Sequence, residues 1–222
     1  MKRIKFIAFD LDGTICNTLG DIAASLNRAL ASFGFPVLSE DGVSALVGKS
    51  VTYMCQKAVP KGHENDWPAV REAFFADYYE HLCDHTVPYD GMPELLQALY
   101  ARGVALAVVT NKPDPHAKKM LRELFPPDGR PFAVIQGQDP AFATKPDAEM
   151  LDRVRGGLGF TREETLYLGD MDVDVQFAHN AGVPCAGCGW GFRGAAFLKE
   201  AGADYVLSHP SDLWNVLKII ES

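Results

Sequence analysis

Four short apolar runs punctuate the chain: Ile4–Phe9, Val104–Val109, Phe132–Ile135 and Thr165–Leu168. Each is short and nearly continuous in its apolar character, the pattern of strands buried on both faces of a parallel sheet. Between the later runs the apolar spacing changes to that of helices. Leu95, Leu96, Leu99 and Tyr100 share a face after Pro93, with Gly103 past the end. Ala117, Met120, Leu121 and Leu124 recur in the same way after Asp114, which is placed to cap a helix with Pro115 at its first position. In TREE, Thr161 and Glu164 form a capping box. Strands alternating with helices predict an α/β fold on an open parallel, Rossmann-like sheet covered on both faces.

The stretch from about Cys16 to Thr86 breaks this alternation. DIAASLNRALASFG reads as an amphipathic helix ending at Gly34, and Ser39–Val47, Val51–Val59 and Trp67–Cys83 read as three more. Roughly 70 residues without a strand are too many for a loop. The expectation is an all-helical subdomain at 17–86 inserted into an α/β core of 1–16 and 87–222, with PYDGMP (88–93) as its return hinge.

Composition narrows the classes of function. A chain of 222 residues, 47% hydrophobic and 23% charged, is an ordinary globular protein of one domain or a domain with an insert. The net charge is −8, and no lysine–arginine cluster is interleaved with aromatics, so nucleic acid is not an expected partner. No apolar run approaches the ~20 residues of a membrane span. Lys5 and Asp10 interrupt the N-terminal apolar stretch too early for a signal peptide. Five cysteines at irregular spacing do not suggest a disulfide framework, and a reduced, cytoplasmic setting is expected.

Ligands of open α/β sheets bind beyond the carboxyl ends of the strands. Asp10, Asp12, Gly13 and Thr14 follow the first run, Thr110, Asn111 and Lys112 the second, Lys145 lies past the third, and Asp170, Asp172 and Asp174 follow the fourth. Carboxylates, an ammonium and hydroxyl and amide donors at one edge suit a hard cation and a phosphoryl group. Mg²⁺ takes a few carboxylate oxygens, which Asp10 and Asp170 can supply. An aspartate can serve as nucleophile, and a second carboxyl can protonate the leaving oxygen and later activate water. Asp10 and Asp12 share a side of an extended segment, and Gly13 lets the chain turn close to a substrate. Thr110, Asn111 and Lys145 are placed to hold phosphoryl oxygens.

FDLDGT, VVTN, KP and GDMDVD, in that order, resemble the four signature motifs of the haloacid dehalogenase superfamily. The resemblance spans the chain and implies Asp10 as nucleophile and Asp12 as general acid and base. It further implies Thr110 as a phosphoryl ligand and Lys145 as stabiliser of Asp10 and the transferring charge. Mg²⁺ would be held by Asp10, Asp170 and the Asp12 backbone carbonyl, with Asp174 supporting that shell. Gly13, Thr14 and Thr110 are the expected substrate contacts; Asn111 either joins them or only closes the turn after its strand, Lys49 either reaches the substrate from a cap loop or is solvated in a helix–helix turn, and the helical insert resembles the superfamily's cap. An acid at Asp12 is similar to the phosphatase and phosphomutase branches. DIAASLNRALASFG, TVPYDGMPELLQAL, VVTNKP and GWGFRG with a later GADYVL resemble phosphoglycolate phosphatases. Two positions depart from that pattern: Met171 stands where a small hydroxyl residue is common, and Ala148 replaces the second proline of KPxP.

The expected reaction is Mg²⁺-dependent hydrolysis of a small phosphorylated metabolite, 2-phosphoglycolate by resemblance, by a monomer or homodimer. Alternatives are a phosphatase for pyrophosphate, sugar phosphates or nucleotides, a sugar phosphomutase, or a non-enzymatic phosphate-binding module. A phosphate-binding loop at LVGKS (46–50), and with it a nucleotide binder, is a further alternative that Val43 disfavours, because it stands where the first glycine is required. Cys185 and Cys188 read as two packed thiols, and His81 and His85 as solvated helix-end histidines. Asp172 reads as a solvated side chain, and Trp190, Phe192 and Arg193 as buttresses of the catalytic edge.

Overall fold

The computed structural model describes residues 3–48, 50–126 and 131–222. In chain order the elements begin β1 (Phe6–Phe9), β2 (Cys16–Asn17), α1 (Leu19–Ser32), α2 (Glu40–Ser44), α3 (Val51–Ala58), α4 (Trp67–Glu80) and β3 (Val87–Pro88). They continue α5 (Met92–Ala101), β4 (Ala105–Pro113), α6 (Asp114–Leu124), β5 (Phe132–Gln138), α7 (Glu149–Gly157) and β6 (Thr165–Gly169). The last are α8 (Asp172–Asn180), β7 (Cys185–Cys188), α9 (Gly194–Glu200), β8 (Tyr205–Leu207) and α10 (Leu213–Glu221). The chain divides into two compact units, residues 1–16 with 88–222, and residues 17–87. It leaves the first through β2 and returns through β3, and these two short strands pair.

The first unit is a six-stranded sheet in the order β5-β4-β1-β6-β7-β8, every neighbouring pair parallel. β1 sits centrally because all four of its residues are apolar and buried. From β1 the chain first builds outward through β4 and β5, then crosses to the other side for β6, β7 and β8. The order therefore reverses at β1, and the crevice such a reversal opens at the strands' carboxyl ends is where ligands bind in these sheets. On one face Phe6, Ala8, Ala107, Val109 and Tyr167 join Phe177 in a continuous apolar core.

Several boundaries differ from the sequence expectation. β4 runs beyond Val109 to Pro113, with its register against β5 shifted there, so Thr110, Asn111 and Lys112 lie in an irregular strand end. Asp114 is the first residue of α6 and not its cap. Its carboxylate instead accepts from Gly137 N at 3.1 Å and Lys118 Nζ at 2.7 Å, fastening α6 to β5. Gly137 has to lack a side chain, since a Cβ there would lie 2.4 Å from the Asp114 Cα. β7 and β8 complete the sheet. The box in TREE is formed, with Thr161 N donating to Glu164 Oε2 at 3.1 Å.

In the second unit α1 packs on α2 and α4, and α3 on α4. Arg28 grips Asp77 with a two-pronged contact, Nε to Oδ1 at 2.8 Å and Nη2 to Oδ2 at 2.7 Å, joining α1 to α4. α2 covers only Glu40–Ser44 within the expected Ser39–Val47; Ser39 caps it through Gly42 N, and an interior glycine weakens so short a helix. α4 stops at Glu80, short of Cys83, because the following chain is held by Asp21 rather than by helical carbonyls. The buried Asp21 carboxylate accepts from His85 N (3.0 Å), His85 Nδ1 (2.8 Å), Thr86 N (2.8 Å) and Thr86 Oγ1 (2.7 Å). Burial raises its pKa, but the Thr86 and His85 hydrogen bonds outweigh burial and hold it below the ordinary aspartate value. Asp21→Ala is expected to lose about 3 kcal/mol at neutral pH, because buried donors are left unpaired. A group with a depressed folded pKa stabilises above its unfolded value, so the gap between wild type and variant should shrink below about pH 4. Urea titration at neutral and acid pH checks both statements.

Candidate active site

The carboxyl end of β1 turns through Asp10, Leu11, Asp12 and Gly13. Asp10 N still donates to Leu168 O of β6 at 2.8 Å, which brings the carboxylate beside the end of that strand. Gly13 takes a φ of +81°, and a Cβ there would lie 2.3 Å from Asp170 Oδ2. The glycine is thus required by its backbone conformation and by the closeness of Asp170.

Asp10, Asp170 and Asp174 are buried and offer carboxylate oxygens within 4.8 Å of one another. Lys145, 5% exposed, places its Nζ 2.6 Å from Asp10 Oδ1 and 2.7 Å from Asp174 Oδ1. Asp174 Oδ2 accepts from Asp170 N (3.2 Å) and Met171 N (3.1 Å), so this third residue of α8 folds back on its own helix start. Both Asp174 oxygens are engaged, and the residue braces the cluster from behind. Asp170 is oriented by Phe192 N on Oδ2 at 2.9 Å and by the Thr14 hydroxyl on Oδ1 at 3.4 Å. Trp190 Nε1 donates to Thr14 O at 3.0 Å, so GWGFRG buttresses this edge.

Burial shapes the electrostatics. It pushes the Asp10 carboxyl up to about 6, opposed by Lys145 and reinforced by Asp174 and Asp12. Asp170 is pushed well above the usual carboxylate range by burial, then by Asp174 and Asp10. Burial works against the Lys145 ammonium, yet Asp10 and Asp174 outweigh it and hold its pKa above that of ordinary lysine. Three acids facing one ammonium leave excess negative charge in a buried place, which suits a cation.

Asp12 stands apart from the acidic cluster. Its Oδ1 accepts from Lys112 Nζ at 2.9 Å, and the lysine side chain is 2% exposed against 19% for Asp12. Thr110 is buried, and its Oγ1 accepts from Lys112 N at 3.2 Å. Asn111 engages the Lys145 backbone in both directions, Oδ1 accepting from Lys145 N at 2.9 Å and Nδ2 donating to Lys145 O at 3.4 Å. The end of β4 and the lysine loop are thereby clamped together.

Residues 7–188 match the family model described as haloacid dehalogenase-like hydrolase. The chain belongs to the haloacid dehalogenase-like hydrolase family. A phosphoglycolate phosphatase of Pasteurella multocida is 31% identical, with all of both chains aligned. One from Haemophilus influenzae is 32% identical over 97% of this chain and 99% of its own. The crystal structure of a predicted phosphoglycolate phosphatase from Haemophilus somnus superposes with a TM-score of 0.89 at 29% identity, covering 97% of this chain and 99% of that one.

In this haloacid dehalogenase-like hydrolase the structure brings Asp10, Lys145, Asp170 and Asp174 into one cluster, with Asp12, Gly13, Thr110 and Asn111 along the same edge. Thr14 is buried with its hydroxyl on Asp170. Lys49 lies outside the described residues. Asp172 is half-buried and lies outside the cluster. Cys185 and Cys188 are buried free thiols in β7, pushed well above their usual pKa by burial. His81 and His85 pair with Asp84 and Asp21. Two participants escaped the sequence reading: the pairing of Lys112 with Asp12, and Tyr167, whose hydroxyl lies 3.0 Å from Lys145 Nζ. The only sequence signal for Tyr167 is a phenol inside the apolar run LYLG. Among the described residues no helix is long and apolar enough to cross a membrane.

Proposed function

We propose that this hydrolase cleaves a small phosphomonoester through a phosphoenzyme on Asp10, with 2-phosphoglycolate as its substrate. The observation that carries the reading is the buried contact of Lys145 with Asp10 Oδ1, which leaves Oδ2 as the attacking oxygen. Oδ2 forms a bond to phosphorus as the bond from phosphorus to the leaving oxygen breaks, and Asp12 gives that oxygen its proton. Asp12 then takes a proton from water, the water oxygen bonds to phosphorus, and the acyl phosphate releases phosphate and restores Asp10. Lys145 keeps Oδ1 neutralised throughout. Thr110, whose oxygen already accepts from Lys112 N, has its own hydrogen to give a phosphoryl oxygen. Asn111 and the backbone at Gly13 line the same edge.

The donor set fits Mg²⁺. Asp10, Asp170 and the Asp12 backbone carbonyl would hold it, braced by Asp174, and the excess of buried carboxylate over ammonium calls for a divalent ion. When bound, the ion supplies positive charge that lets two anions approach. Whole-chain similarity to the Pasteurella and Haemophilus phosphoglycolate phosphatases supports the substrate.

Phosphate release from a panel of phosphomonoesters, with Mg²⁺ or with chelator, tests the reading. The expected result is Mg²⁺-dependent release, fastest from 2-phosphoglycolate, and loss of at least about 10³-fold in chelator. Fastest release from a sugar phosphate or nucleotide would replace the substrate. An isomerised product with little free phosphate would replace hydrolysis by phosphomutase chemistry.

A further inference from the structure

We propose that Tyr167 is a positioning residue whose hydroxyl fixes the Lys145 ammonium on Asp10 and ties it to the strand end that carries Thr110. The inference rests on the roles given above to Asp10 and Lys145. Tyr167 lies in β6 opposite Ala8 of β1, which in turn lies opposite Ala107 of β4. Two alanines in that row leave room for a large ring on this face of the sheet. The ring packs edge-on against Phe177, centroids 5.1 Å apart. A phenylalanine would fill that space equally well, so packing gives no reason for the oxygen.

The hydrogen bonds give one. The ammonium has three hydrogens: one goes to Asp10 Oδ1 at 2.6 Å, one to Asp174 Oδ1 at 2.7 Å and one to Tyr167 Oη at 3.0 Å. Having accepted from Lys145, the phenol donates its own hydrogen to Val109 O at 3.0 Å, with Asp174 Oδ1 at 3.2 Å the longer option. Val109 is the residue before Thr110. One buried oxygen therefore joins the lysine loop to the end of β4.

The two carboxylates compete for the ammonium at nearly equal distances. Without the third contact the charge is free to settle toward Asp174, away from the nucleophile, and Val109 O loses a donor. Such a shift changes the chemical step more than substrate binding.

Tyr167→Phe removes one oxygen and keeps the ring. In steady-state assays with Mg²⁺ and the best phosphomonoester of the panel, kcat is expected to fall about tenfold with KM within about twofold. Phe177→Leu loosens the packing and keeps the hydroxyl; it is expected to lower Tm while kcat stays within about twofold of wild type. A readout independent of turnover is the side-chain ammonium resonance of Lys145 in ¹⁵N-labelled protein, assigned with Lys145→Met. Wild type should show a slowly exchanging signal that broadens or disappears in folded Tyr167→Phe. An unchanged signal in the variant, no protected signal in wild type, or an active variant with wild-type kcat overturns the proposal. If wild type releases no phosphate from any ester, the functional reading fails, and the ammonium signal alone decides whether Tyr167 holds Lys145.

Discussion

Asp10→Asn protein is expected to fold, to bind its phosphomonoester, and to turn it over about 10⁴-fold more slowly or worse. Asparagine has the shape of aspartate, and the backbone bond from residue 10 to Leu168 does not involve the side chain. What disappears is the oxygen proposed to bond to phosphorus, and among the described residues no other carboxylate is placed to replace it. Asp170 is oriented by Phe192 and Thr14, Asp174 is engaged at both oxygens, and Asp12 is paired with Lys112. Stability should change little or rise, because one of three crowded buried acids is neutralised while Lys145 keeps Asp174. Acid-quenched labelling with a ³²P-labelled ester should show phosphoenzyme in wild type and none in the variant. Turnover near the wild-type rate in pure variant would remove Asp10 from the role of nucleophile.

Lys145→Met should damage both stability and catalysis. The ammonium is 2% exposed and sits between two carboxylates that are 9% and 1% exposed. Removing it leaves buried like charges facing one another, which costs about 3–5 kcal/mol when one partner of a buried pair is deleted. In metal-free protein the loss should depend on pH. Asp10 already titrates at about 6, raised by burial, so its folded form binds a proton more readily than its unfolded form. Stability from that source therefore falls as pH rises through about 4 to 6, and the variant should fall more steeply. The difference in Tm between wild type and Lys145→Met is expected to be small near about pH 5 and about 6–20 °C near about pH 7.5. Mg²⁺ should recover part of the difference, and kcat with Mg²⁺ should remain depressed about 10²–10³-fold. Equal Tm values at neutral pH would show that the ammonium does not hold the acids together.

Much of this is legible in the sequence. The four apolar runs mark four of the sheet's strands, because strands covered on both faces need side chains that bury without partners. β8 is not separable, because YVL spans only three residues. Asp10, Asp12 and Asp170 stand out because charges beside apolar strands need a reason, whereas Lys145, well past the third run, stands out only through its company in the other motifs. Partner choice was harder to see. Lys112 meets Asp12 across 100 residues and Tyr167 meets Lys145 across 22, distances at which periodicity carries no information. α4 ended early for a similar reason, since Asp21 reaches 64 residues ahead to hold His85.

The span of those contacts also governs when the charged centre comes into being. Lys145 lies 135 residues after Asp10, and Thr14 meets Asp170 across 156. On a chain growing from the ribosome, Asp10 waits 135 residues for its ammonium and longer still for Asp170. Until β4 is made β1 has no neighbour in the sheet, and until β6 is made its other side stays open, so its apolar side chains depend on the chain remaining open or on a chaperone's cover. If the acidic cluster holds the proposed ion, cation affinity should arise abruptly, only once the strand end before Asp170 has joined β1, making metal capture a marker of the closed sheet edge.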